Sequence, residues 1–274
     1  MKNSPESNSQ TSDARRGKRT AIFLVGLTIL LSFIPVAMLK APVENHEPPP
    51  LVIRVDDIQD FAFREAQLFL LNESIINQVP LSLAVIVGMF GEDGGIVQTV
   101  KLAVSSGSEV ALHGWKHEDL TKLSFGEQVA LLSRSRSQIE EILDYDVEVL
   151  VPPMFSFDEN TLAAMHIEGY DIISTVADYV EPGLMSNVIS LPATIELSDF
   201  SDGIWNMKSL DSIKAEISRS IKKYGFAVIV THPQEFLNDG ELNQVNTELY
   251  RALLNTLKED YSFETLERLG ENWR

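Results

Sequence analysis

From Leu51 onward the chain alternates short apolar runs with longer segments of helical periodicity, which restricts it to α/β architectures built on a largely parallel sheet. Seven runs have the length and composition of strands: Leu51–Val55, Leu81–Val87, Glu109–Leu112, Glu148–Val151, Asp171–Ser174, Val188–Leu191 and Phe226–Val230. Helices are expected at Phe63–Gln78, Gly95–Ser105, Phe125–Leu143, Glu159–Glu168, Leu210–Lys223 and Glu241–Lys258. Ser124 followed by Glu127 forms a capping box for the third helix, while Asp158 and Asp239 are the expected caps of the fourth and the last. Ala193–Lys208 has no clear period and reads as a long loop with at most one short strand. An open doubly wound sheet and a barrel of seven to eight strands both fit this order. Either one places function at the carboxyl ends of the strands.

The N-terminal region has a different character. Residues 1–20 hold five basic side chains (Lys2, Arg15, Arg16, Lys18, Arg19) and two acidic ones, which leaves 17 basic against 38 acidic residues, or −21, for the rest. Ala21–Leu39 then runs nineteen residues without a charge, roughly 28 Å as a helix and close to the thickness of a bilayer core. We therefore expect residues 1–20 to be a basic cytoplasmic tail and residues 21–39 an uncleaved transmembrane signal anchor. Residues 40–50 are a proline-rich linker that includes His46, and residues 51–274 form the folded domain outside the cell. A cleaved signal peptide is the rival reading, against which stand the length of the apolar run and the lack of a small-x-small site before Lys40. The chain has no cysteine, so thiolate nucleophiles, cysteine zinc sites and iron–sulfur clusters are excluded, and its net charge of −18 argues against nucleic acid as a partner.

The polar residues at the strand ends suggest a reaction class. The first strand ends in Asp56-Asp57, and adjacent carboxylates after an apolar strand make chemical sense beside a divalent cation. The third ends in His113-Gly114-Trp115-Lys116-His117, whose spacing places both imidazoles on one face if the segment is a helical turn. Two histidines and a carboxylate with open positions form a site that lowers the pKa of bound water. The last strand runs into Val230-Thr231-His232-Pro233, making His232 a candidate acid, and the fourth runs into Pro152-Pro153-Met154-Phe155, a rigid apolar turn suited to the wall of a groove. His166 falls inside a helix and reads as structural.

The order and spacing of these residues resemble the polysaccharide deacetylase superfamily, carbohydrate esterase family four, and especially its membrane-anchored branch, over roughly Leu51–Pro233. The resemblance implies a distorted (β/α) barrel of about seven parallel strands. It implies that Asp56 is the base and His232 the acid, that Asp57, His113 and His117 bind a divalent metal, and that Trp115, Pro153 and Phe155 touch an acetylated polysaccharide or oligosaccharide. Zinc is the expected ion, with cobalt, nickel, manganese and iron as alternatives. The implied activity is metal-dependent removal of acetyl groups from N- or O-acetylated glycans at the cell exterior.

The sequence departs from the family pattern at several places. Ile58 stands where a glycine is usual, Gly114 where a hydroxyl residue is usual, and Val151 where the family has the arginine that orients the base. Arg54, two residues before Asp56 on the same strand face, is the candidate to supply that charge, and no nearby aspartate fixes the tautomer of His232. The missing arginine motivates a second reading, a carbohydrate-binding pseudoenzyme. A third is a glycosidase using Asp56 with another carboxylate about 5 to 9.5 Å away.

Overall fold

In the computed structural model, which describes residues 47–178 and 180–274, the seven expected runs all lie in one curled, mostly parallel sheet. They are β1 (Pro50–Ile58), β2 (Ser82–Val85), β3 (Glu109–Leu112), β4 (Val149–Leu150), β5 (Ile172–Ile173), β7 (Val188–Ser190) and β11 (Ala227–Thr231). With β6 (Gly183–Met185) and β8 (Ile195–Glu196) the order is β6-β7-β5-β4-β3-β2-β1-β11-β8, and β14 (Ser262–Glu264) pairs with the start of β1. Past β5, Ala177 N–H donates to Ala193 O and Ala193 N–H to Thr175 O, so the curl brings this segment back toward β8.

The strands form because each buries alternate apolar side chains on two faces. Leu51, Ile53 and Val55 of β1 join the outer layer packed under the helices, whereas Val52 joins Ala84, Ala111, Val149 and Val228 on the concave face. Small residues at Ala84 and Ala111 leave room on that face, and the alternation directs Arg54 and Asp56 into it. The helices are α1 (Arg64–Asn77), α2 (Gly94–Ser105), α3 (Phe125–Leu143), α4 (Glu159–Glu168), α5 (Leu210–Tyr224), α6 (Gln244–Leu257) and α7 (Leu266–Gly270). Ser124 and Glu127 make the expected capping box, and Asp158 caps α4. His166 lies exposed in the last turn of α4, away from the strand ends.

Two expectations need correction. The last helix is capped by Asn243, whose side chain accepts from Val245 N and Asn246 N, because Asp239 is taken up in the turn between β12 (Leu237–Asn238) and β13 (Glu241–Leu242). Ala193–Lys208 is not a loop: it holds β8 and an antiparallel hairpin of β9 (Ser198–Ser201) and β10 (Ile204–Met207). Its turn is Asp202-Gly203, both at positive φ (54° and 80°), which is the dihedral pair a tight hairpin turn requires. Among the described residues no helix is long and apolar enough to cross a membrane, and the expected anchor Ala21–Leu39 lies outside them, as do His46 and the basic tail.

The floor of the concave face is closed by Leu266 and Leu269 of α7. Glu109 pins that helix from the start of β3, its carboxylate oxygens accepting from Leu266 N (2.9 Å) and Glu267 N (2.8 Å). Burial pushes the Glu109 carboxyl up to about 7 from 4.5, although these N–H groups and Ser82 work the other way. An acid whose pKa is higher folded than unfolded contributes stability that is fully present below the unfolded value and is lost as pH rises through the folded one. Between pH 4.5 and pH 7 the protein should therefore lose about 3 kcal/mol of stability through this one group. Urea unfolding at pH 5 and pH 8 checks this, since Glu109→Gln should remove that share of the pH dependence.

Candidate active site

In a regular strand, adjacent side chains point to opposite faces, so Asp56 and Asp57 would diverge. They converge because β1 slips its register against β2 between Val55 and Ile58, and Asp57 adopts a left-handed backbone with φ 63°. Asp56 points into the concave face and is fully buried, while Asp57 turns to the rim. Left-handed non-glycine residues recur around this point, at His117 (φ 60°), Met154 (φ 54°) and Phe155 (φ 55°). Such strain gathers where the surrounding structure over-determines a functional geometry.

Asp57 Oδ1 lies 3.4 Å from Nε2 of both His113 and His117, and the three donor atoms are all within 4.8 Å of one another. His113 Nδ1 is 2.7 Å from the Val151 carbonyl, which only accepts, so the proton sits on Nδ1 and the Nε2 lone pair faces the centre. Burial and the neighbouring His113 lower the pKa of His117, which keeps its imidazole neutral and able to ligate. Burial alone would raise the Asp57 carboxyl, but the histidines overcome it and hold the group at about 2. One hard anionic oxygen and two neutral nitrogens, inward-facing and open on one side, fit a divalent cation.

The two histidines do not share a helical face, as their spacing had suggested. Gly114 (φ 75°) and His117 turn the chain sharply instead, and Glu118 holds the turn by accepting from Trp115 N (2.8 Å) and Lys116 N (2.7 Å). A Cβ on Gly114 would meet Pro153 Cγ at 2.9 Å and Glu118 Oε2 at 3.0 Å, which explains why a hydroxyl residue is absent there.

Arg54 fills the place of the missing arginine. Fully buried, it grips Asp56 with two parallel bonds, Nε to Oδ1 at 2.8 Å and Nη2 to Oδ2 at 2.9 Å. Its Nη1 donates to Ser174 O, Ser174 Oγ and Thr175 O at the end of β5, so the guanidinium spans the concave face from β1 to β5. Phe155 lies over it, the ring centroid 5.7 Å from Cζ.

The acid candidate has a partner that sequence reading missed. Glu235, three residues after His232, accepts from His232 Nδ1 (2.8 Å) and from its backbone N–H (3.0 Å), and its other oxygen accepts from Thr231 Oγ1 (2.7 Å). The detectable signal was the residue pattern His232-Pro233-Gln234-Glu235, a helix-start box with proline at its first position. His232 Nε2 is thereby turned toward Asp56 Oδ2, 4.0 Å away. Burial opposes the imidazolium, but Glu235, Asp56 and Asp57 outweigh it and raise the pKa to about 9. In metal-free protein the His232 ring should thus titrate near pH 9, and Glu235→Gln should bring it well below that, as an NMR titration of the ring signals would show.

Of the residues expected to touch substrate, Phe155 is half-buried at the rim and Pro153 packs beneath Gly114. Trp115 is half-buried, its indole under the Arg134 guanidinium at 4.1 Å and against the backbone of Gly88. A cleft of about 430 Å³ opens between Phe63, Leu237 and Gln234, and Gln234 Nε2 lies 3.4 Å from Asp57 Oδ2.

Residues 54–173 match the family model for polysaccharide deacetylase. This segment of 120 residues is therefore similar to a polysaccharide deacetylase domain. Among solved structures it resembles a peptidoglycan deacetylase from Bacillus subtilis at 15% identity, covering 82% of this chain and 91% of that one with a TM-score of 0.54. It also resembles a family 4 acetyl xylan esterase from Clostridium thermocellum in complex with a cobalt ion (16% identity, 81% and 91% covered, TM-score 0.55). A third is a family 4 pseudoenzyme from Bacillus anthracis (16% identity, 81% and 66% covered, TM-score 0.54). At these identities the likeness is one of fold, and no curated protein matches the sequence. The family match begins at Arg54, the residue whose guanidinium grips Asp56.

Proposed function

We propose that the protein is an active metal-dependent deacetylase that cleaves acetyl groups from N- or O-acetylated glycans. The observation that carries this reading is the buried Arg54–Asp56 pair beside the Asp57, His113 and His117 donors. A fold shared with a pseudoenzyme does not by itself support activity, but a desolvated carboxylate gripped by two guanidinium bonds beside the three metal donors is a costly arrangement that a purely structural tie between strands does not require.

When bound, a divalent ion, zinc in our reading, supplies Lewis-acid polarisation of the acyl carbonyl and of the attacking water. Asp56, held by Arg54, accepts the proton that water loses as its oxygen bonds to the carbonyl carbon. His232, charged near neutral pH and steadied by Glu235, gives a proton to the leaving nitrogen or oxygen as the acyl bond breaks. Acetate and a free amine or hydroxyl result. Proton exchange with solvent then returns Asp56 to its carboxylate and His232 to its imidazolium. Within the Val151–Phe155 turn, Val151 N–H goes to Leu112 O and Phe155 N–H to Pro152 O, and the prolines have none. That leaves the N–H of Met154 to stabilise the developing oxyanion.

The basic cluster before an uncharged nineteen-residue run supports attachment to the cell membrane with the deacetylase domain outside. Incubation of the metal-loaded protein with acetylated oligosaccharides should release acetate without generating new reducing ends. New reducing ends without acetate would establish a glycosidase, and binding without either product a pseudoenzyme.

A further inference from the structure

The β9–β10 hairpin continues from the carboxyl end of β8 and carries an aromatic pair, Phe200 exposed and Trp205 half-buried. Phe200 is 61% exposed, and its ring lies 4.9 Å from that of Trp205, inclined by 52°. The two are direct cross-strand partners, so both rings stand on the same face of the hairpin.

The hairpin is tied to the catalytic acid. Buried Asn246, at the start of α6, donates from Nδ2 to Glu235 O (2.7 Å) and to Trp205 O (3.2 Å). One amide thus joins the backbone of Trp205 to the residue that holds His232. β8 ends level with Val230, two residues before His232, so the aromatic pair and the acid share one rim of the sheet. The hairpin bears Asp199 and Asp202 and no basic side chain, which disfavours an anionic occupant.

We propose that Phe200 and Trp205 form a stacking platform for a pyranose ring of an uncharged glycan, next to the sugar being deacetylated. The proposal rests on the deacetylase reading and deepens it: the substrate is a chain of sugars, recognised outside the catalytic centre. A pyranose offers a C–H face that aromatic rings cover well, and the continuity of the hairpin with the His232 turn brings such a ring beside the acid.

The test uses the full chain loaded with divalent metal, a hexamer of N-acetylglucosamine, an O-acetylated xylan hexamer, and 4-nitrophenyl acetate as an ester too short to reach the hairpin. Phe200→Ser, an exposed change, should leave the melting temperature unaltered. It should lower the ratio of hexamer to ester kcat/KM by about tenfold for the accepted hexamer, through KM. That hexamer should also shift the tryptophan emission of the wild type, and the shift should disappear in Trp205→Phe. An unchanged ratio, an absent emission shift, or a dimer seen by light scattering that Phe200→Ser dissolves would overturn the platform. A Trp205-dependent shift with no acetate from any substrate would instead reject the deacetylase reading and leave the platform standing.

Discussion

Replacing Arg54 with Met should destabilise the protein by about 3 to 5 kcal/mol, because it strands the buried Asp56 carboxylate without its counter-charge. The loss has a second component, since Ser174 and the Thr175 carbonyl also lose their donor. Denaturant unfolding of Arg54→Met beside the double variant Arg54→Met/Asp56→Leu separates the two, the double variant recovering most of the stability because no buried charge is left unpaired. Arg54→Lys tests function more finely. Lysine keeps the charge but presents a point donor, so it cannot hold both oxygens of Asp56. Turnover should fall about a hundredfold while metal binding stays intact. Wild-type turnover in Arg54→Lys would mean that the pair is structural.

The second large effect divides the two aspartates. Asp56→Asn should lose about 10² to 10⁴ in turnover, the usual contribution of a general base, and still bind the ion. Asp57→Asn and His113→Ala should lose both, because each removes a donor from the cluster of three. Equal metal retention in all three variants would end the assignment.

The scaffold was legible because periodicity is a strong signal. All seven strands and the bounds of Phe125–Leu143 and Glu159–Glu168 follow from apolar spacing and caps. Arg54 could be placed because strand alternation puts residues two apart on one face, and the structure adds the two bonds that alternation cannot show. Other features depended on backbone turns rather than period. The convergence of Asp56 and Asp57 comes from a register slip, and the histidine turn from positive φ at Gly114 and His117. Neither leaves a periodic trace. The β9–β10 hairpin hid because one strand end and its turn are polar, although Asp202-Gly203 between alternating residues was a usable signal. Glu235 stands where an aspartate is expected, and from three residues on it reaches the His232 ring nitrogen through the turn that Pro233 begins.

The whole account stands on Asp57, His113 and His117 holding one ion, so the most direct measurement is a calorimetric titration of zinc into metal-free protein and into Asp57→Asn. The account predicts one ion per chain for the wild type and loss of that binding in the variant. Absence of binding to the wild type, or equal binding by both, would contradict it.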